Sequence, residues 1–170
     1  MEVRFETDRL IIRKIRTSDA AFYVELFNSE GWLKYIGDRH VHTEAEAEAY
    51  IEKHYLSSYE QHGYGAFAVI LKETGQMIGA CGLYKRDNLE HPDIGFAYLP
   101  PYIGKGYGYE AAKAVMDFAR KTWNITTLYG VTVEYNIASI ALLEKLGLKR
   151  VGATNFEGDD EELLLFSTDA

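Results

Sequence analysis

The sequence predicts an α/β (α+β) fold: one mixed sheet of about seven strands with helices on both faces. Strand-length apolar runs alternate with runs of helical periodicity along the whole chain. Two of the strand-like runs, 66–71 and 77–84, are separated only by the short 72–76 turn, which makes them an antiparallel hairpin. A helix-length run separates strand 93–99 from strand 128–135, and a crossover of that length makes those two strands parallel.

In chain order, 7–16 alternates as a first strand, and Thr17-Ser-Asp19 supplies the cap of a helix reaching about Asn28. The segment 31–42, with Trp32, Tyr35, Gly37, Arg39 and His40, is expected to be a loop. Thr43 and Glu46 stand in capping-box spacing at the start of a helix through 61. After the hairpin, strand 93–99 feeds a glycine-rich turn. The helix that follows is read from Ala111, Val115, Phe118 and Ala119 and ends near Thr122. Asn136 caps a short helix that stops at Gly147, and strands 148–153 and 162–166 close the chain around a turn at Gly158.

Composition narrows the function classes. With 170 residues, 47% of them hydrophobic and 14% aromatic, the chain is long enough for one domain, 1–170, with a substantial core. No apolar run is long enough to cross a membrane and the opening residues are charged and mixed, so a cytoplasmic protein without a membrane partner is expected. A net charge of −8 argues against a nucleic-acid partner and leans weakly toward a cationic substrate, although it also serves plain solubility. The one cysteine, Cys81, excludes an internal disulfide and reads as a small buried hydrophobe. The five histidines show no ligand spacing, so no metal is expected.

The run from Tyr98 to Ala111 carries the strongest chemical signal, because an extended segment passes through two prolines into alternating glycines and then a helix start. Gly104, Gly106 and Gly108 let the backbone approach a ligand, Lys105 adds a mobile positive charge, and the first helical N–H groups point at an anion. A plain strand-to-helix turn would need fewer glycines. The spacing fits neither the P-loop nor the dinucleotide fingerprint.

Ile103-Gly-Lys-Gly-Tyr-Gly108 resembles the acyl-coenzyme A loop of the GNAT N-acetyltransferase superfamily, Gln/Arg-x-x-Gly-x-Gly/Ala, with Ile103 departing at the first position. Gly104 to Tyr107 with Glu110-Ala111 is similar to the version found in the RimJ/RimL branch, and Thr7-Asp-Arg-Leu-Ile-Ile-Arg13 is similar to that branch's opening phrase. The helix from Asn136 through Ser139 to Glu144-Lys-Leu-Gly147 resembles the family's second signature. The resemblance covers the chain from Thr7 onward and implies acetyl-CoA as cosubstrate and an amine acceptor as partner, with a homodimer left open.

It further implies that backbone at Phe96, Ala97 and Tyr98 pairs with the pantetheine arm, and that Gly104, Lys105, Gly106, Tyr107 and Gly108 hold the pyrophosphate. Asn136 would bond the coenzyme arm and Ser139 would face the thioester sulfur. Relatives place a tyrosine acid seven residues after the asparagine, where this chain has Leu143; Ser139 inherits the thiol contact, with Tyr135 as its competitor. Asp93 is the candidate general base, against the alternative of a solvated turn residue, and Glu134 is the second carboxylate beside the expected cleft.

The implied activity is acetyl transfer from acetyl-CoA to a primary amine, directly within a ternary complex. The acceptor is open among a protein N-terminus, a polyamine and other small amines. Two rivals are a non-catalytic acyl-CoA binding module and a mononucleotide-binding domain.

Overall fold

A computed structural model describes residues 2–156 and 159–169. Its centre is one eight-stranded sheet in the order β1-β2-β3-β4-β5-β6-β8-β7. The strands are β1 Arg4–Glu6, β2 Leu10–Lys14, β3 Ala66–Leu71, β4 Met77–Tyr84, β5 Asp93–Tyr98, β6 Tyr129–Thr132, β7 Lys149–Thr154 and β8 Leu163–Ser167. Every neighbouring pair is antiparallel except β5 and β6, which are parallel.

The extra strand over the expected seven comes from the N-terminus. The 7–16 run divides: Thr7 N–H bonds Leu10 O at 2.9 Å in a tight turn, so the strand starts at Leu10 and Arg4–Glu6 folds back on it as β1. The turn at Gly158 lies outside the described residues, although the strands it was expected to join do pair as β7 and β8.

The helices are α1 Ala20–Phe27, α2 Glu30–Tyr35, α3 Glu44–Tyr50, α4 Ser57–His62, α5 Tyr107–Trp123 and α6 Ile137–Lys145. Segment 31–42 is therefore not all loop. Trp32 is buried with its ring 4.7 Å from that of Phe27, and this contact draws Glu30–Tyr35 into a short helix against α1. α1 begins after a 3-10 turn at Thr17–Asp19, where Asp19 accepts from Arg16 N–H and from both Arg13 Nη atoms. Thr43 caps α3 as expected, its Oγ1 accepting from Glu46 N–H at 3.1 Å.

α3 and α4 form one rod through a π-helical segment, Ile51–Leu56. Ala47, Ile51, Tyr55 and Tyr59 are all buried at a strict spacing of four. In a 3.6-residue helix that spacing drifts around the axis. The wider π turn takes up the drift and keeps all four residues on the buried side of the rod.

Alternation along the strands puts helices on both faces. Phe67 of β3 stacks on Trp123 of α5, with ring centroids 6.4 Å apart. Its neighbour Ala68 lies on the other face, paired with Arg13, whose guanidinium reaches Asp19 just ahead of α1. Phe118 of α5 stacks on Phe5 of β1 at 4.4 Å, so the helix covers the sheet from its N-terminal strand to β5.

At the other end, Leu143 of α6 is buried over β6, and a Cβ on Gly130 would stand 2.5 Å from Leu143 Cδ2. The glycine and the leucine occupy each other's space, and this contact seats α6. Leu143→Ala is expected to lower unfolding free energy by about 2–5 kcal/mol in chemical denaturation, because the space over Gly130 empties.

Candidate active site

β5 and β6 touch at one register point, Asp93 with Tyr129, where Tyr129 N–H also donates to Pro92 O at 2.9 Å. Beyond it the strands part, because β6 pairs along its whole length with β8 on its other side. Leu99 N–H donates to Ile78 O at 3.0 Å, which sets the alternation of the β4–β5 ladder. Ala97 therefore turns its peptide groups toward β4, while Phe96 and Tyr98 turn theirs toward the gap. Of the three backbone positions expected to pair with a ligand, Phe96 and Tyr98 turn toward the gap and Ala97 does not. Ala97 contributes a small side chain opposite Ala80.

β5 ends in a 3-10 turn, Pro100–Tyr102, and the glycine loop follows. Gly104 has φ +81° and Gly106 φ +83°, conformations that side chains with a Cβ rarely adopt. A Cβ on Gly104 would meet nothing within 4 Å, so the backbone angle alone demands glycine there. Gly108 serves differently. It lies inside the first turn of α5, where a Cβ would stand 3.2 Å from Leu142 Cδ2 and 3.5 Å from Tyr98, so its smallness lets α5 approach α6 and β5.

The helical ladder starts with Glu110 N–H donating to Gly106 O, leaving the earlier N–H groups of a 17-residue helix to water or an anion. Lys105 and Ile103 are exposed beside them, and Tyr107 is half-buried. The exposed, glycine-built cradle at a helix start fits a diphosphate. The Tyr98 hydroxyl is buried without a partner, and burial pushes its pKa well above the ordinary tyrosine value, so it stays protonated.

Across the gap, Asn136 Oδ1 accepts from Ser139 N–H at 3.2 Å and caps α6. Ser139 is half-buried in the first turn of that helix. Leu143, one turn further, belongs to the core and not to the gap. Tyr135 is half-exposed; its hydroxyl lies 3.4 Å from Lys34 O and 3.3 Å from Glu161 Oε1 and shares its one proton between them, linking the β6–α6 turn to α2 and to the segment before β8. Glu134 is exposed.

Asp93 is no solvated turn residue: it is 1% exposed. Arg86 Nε donates to Asp93 Oδ1 at 2.8 Å, and Arg86 in turn lies over the Phe156 ring at 4.5 Å. Burial pushes the Asp93 carboxyl above the usual carboxylate range, with the Arg86 charge and hydrogen bond pulling against it. Position and burial were open in the sequence, and the Arg86 partnership was not foreseen.

A second polar cluster also went unforeseen. Glu110, in the first turn of α5, receives hydrogen bonds from Thr7 Oγ1 at 2.5 Å, Arg9 N–H at 3.0 Å and Arg9 Nε at 2.7 Å, while Arg9 Nη1 donates to Lys105 O at 3.0 Å. Among the described residues no group of three His, Cys, Asp or Glu is placed to hold a metal ion, and no helix is long and apolar enough to cross a membrane.

The Asn136 cap has a measurable consequence. Asn136→Ala is expected to cost about 0.5–2 kcal/mol in unfolding free energy and Asn136→Asp far less, because aspartate keeps the acceptor for Ser139 N–H.

Comparison with known proteins agrees with this geometry. The N-acetyltransferase YnaD of Bacillus subtilis (strain 168), itself uncharacterized, is 31% identical over 146 residues, covering 86% of this chain and 82% of that protein. An acetyltransferase from Agrobacterium tumefaciens superposes with a TM-score of 0.81 at 25% identity, over 97% of this chain and 93% of that one. The ribosomal-protein-S5-alanine acetyltransferase of Vibrio fischeri shares the fold with a TM-score of 0.79 at 22% identity, over 97% and 95% of the two chains. The Acetyltransferase (GNAT) domain family matches residues 9–149, and the chain is a member of the GNAT acetyltransferases.

Proposed function

We propose that the protein moves an acetyl group from acetyl-CoA to a primary amine by direct transfer within a ternary complex, in a single domain. The observation that carries this reading is the gap between β5 and β6, which opens after one pair and leads to a glycine-built helix start. The peptide groups of Phe96 and Tyr98 would pair with the pantetheine arm as an added strand does. Gly104, Lys105, Gly106 and Tyr107 would hold the pyrophosphate, with Gly108 seating the helix behind them, and the free amide edge of Asn136 would reach the arm from the other side.

Asp93, through water, takes a proton from the ammonium before the freed amine nitrogen attacks the thioester carbon; a C–N bond forms as the C–S bond breaks, the thiolate takes a proton from Ser139 Oγ, and Ser139 regains one from the protonated nitrogen of the new amide. Alignment of the two reactants supplies much of the rate, with effective molarities worth about 7–11 kcal/mol. The fixed N–H of Tyr98 is suited to polarise the carbonyl without reorganisation. The acceptor class is a primary amine: a protein N-terminus, a polyamine or another small amine.

The test is thermal unfolding with acetyl-CoA, ATP and a nicotinamide dinucleotide, followed by thiol release on adding amines. At about a hundred times the dissociation constant, acetyl-CoA adds roughly 2.7 kcal/mol, which raises the midpoint by several degrees. The two nucleotides are expected to do less. No shift at millimolar acetyl-CoA overturns the reading, and a shift without amine-stimulated thiol release leaves a binding module.

The pH profile tests Asp93. A base must be unprotonated, and the carboxyl pKa is raised, so the rate climbs as pH rises through that value. Protein stability runs the other way, falling as pH rises from the ordinary value of about 3.9 to the raised one, because the folded state holds the proton longer. Asp93→Asn should remove that limb of the rate profile and lower kcat by about 10²–10⁴. Retention of the limb at near-normal kcat would exclude Asp93 as the base.

A further inference from the structure

We infer that Arg9 and Glu110 are positioning residues for the diphosphate of acetyl-CoA, acting as a clamp that orients the Gly106 amide and cancels a carboxylate at the start of α5. The inference rests on the acetyl-CoA reading above and deepens it.

The clamp is built from the far end of the chain. Arg9 lies in the β1–β2 turn, 96 residues before Lys105 and 101 before Glu110. Its Nη1 holds the Lys105 carbonyl at 3.0 Å. A trans peptide is planar, with its C=O and the following N–H pointing to opposite sides. Drawing Lys105 O toward the β1–β2 turn therefore turns the Gly106 N–H away from it. The Arg9 guanidinium also lies 4.4 Å over the Tyr107 ring, so it grips the residues on both sides of Gly106. A Cβ at Gly106, whose φ of +83° already favours glycine, would stand 3.2 Å from Arg9 Nη2, so the guanidinium would have to give by a few tenths of an ångström.

Charge is the second half. Glu110 is a carboxylate in the first turn of the helix whose N-terminus is to receive phosphates. Alone it would stabilise the empty helix and repel an arriving diphosphate. Here its Oε1 takes Arg9 Nε, while its Oε2 takes Arg9 N–H and the Thr7 hydroxyl. Burial by itself would push the carboxyl pKa up, yet these hydrogen bonds hold it below the ordinary value, so the group is ionised and paired with the charge of Arg9. The Arg9 side chain is 45% exposed, and a pair this open adds little to stability. Its position at the loop is where it has effect.

The experiment measures acetyl-CoA binding to wild type, Arg9→Met, Glu110→Gln and the double variant, with S-acetylpantetheine, which lacks the phosphates, as a second probe. Arg9→Met is expected to weaken acetyl-CoA about tenfold while S-acetylpantetheine binds as it does to wild type. The unliganded unfolding midpoint should drop by no more than a few degrees. The double variant should recover to within about threefold of wild type, because the unmatched carboxylate is gone. Unchanged acetyl-CoA binding in Arg9→Met, an equal loss for both probes, or a double variant no better than the single one overturns the inference. Failure of wild type to bind acetyl-CoA would instead overturn the reading beneath it, and the inference with it.

Discussion

The whole arrangement depends on where backbone pairing stops. Peptide N–H and C=O groups require partners, and a sheet normally supplies them across its full width. Here the parallel junction supplies one pair, at Asp93 and Tyr129, and then the two strands go separate ways. Beyond that point the peptide groups of Phe96 and Tyr98, on the free edge of β5, pair with no other strand among the described residues. Both adjoining helix starts lie at the same edge, beside the slot left where β5 and β6 part.

The ends of the slot differ in electrostatic character. At the closed end, Asp93 and Arg86 bury a charge pair in which the carboxylate is almost wholly desolvated and the guanidinium is partly exposed. A buried pair of this kind is a poor source of net stability, and it stands at the strand junction. At the open end, the charges are exposed or half-exposed, the glycine angles are unusual, and the loop is shaped by backbone amides. Core residues lie between the two: Leu143, against Gly130, shows how completely one face of α6 has been given to packing.

Much of this was legible in the sequence, and what was missed shares a cause. The hairpin, the crossover helix and the Thr43 and Asn136 caps follow from local spacing that survives in the structure, whereas Asp19, expected in the cap of α1, binds Arg16 N–H and Arg13 and makes no side-chain bond to that helix's amides. The glycine loop was readable because positive φ and helix starts leave marks in a few adjacent residues. Ranges failed where a single tertiary contact decided the outcome: Trp32 on Phe27 made a helix of an expected loop, and Arg4–Glu6 became a strand only by folding back on β2. The packing of Gly108 against Leu142 and Tyr98 comes from its surroundings, which local spacing does not show. Arg86 with Asp93, and Arg9 with Glu110, join residues by side-chain reach, for which no periodicity exists.

The single pair at the β5–β6 junction also divides the sheet mechanically. β1 to β5 form a continuous antiparallel ladder, and β6, β8 and β7 form another. Each can hold its own hydrogen bonds while the seam between them loosens, so amide exchange should distinguish two cooperative units. A molecule lying along the seam and bonded to both sides would act as the missing rungs, making the two ladders exchange as one.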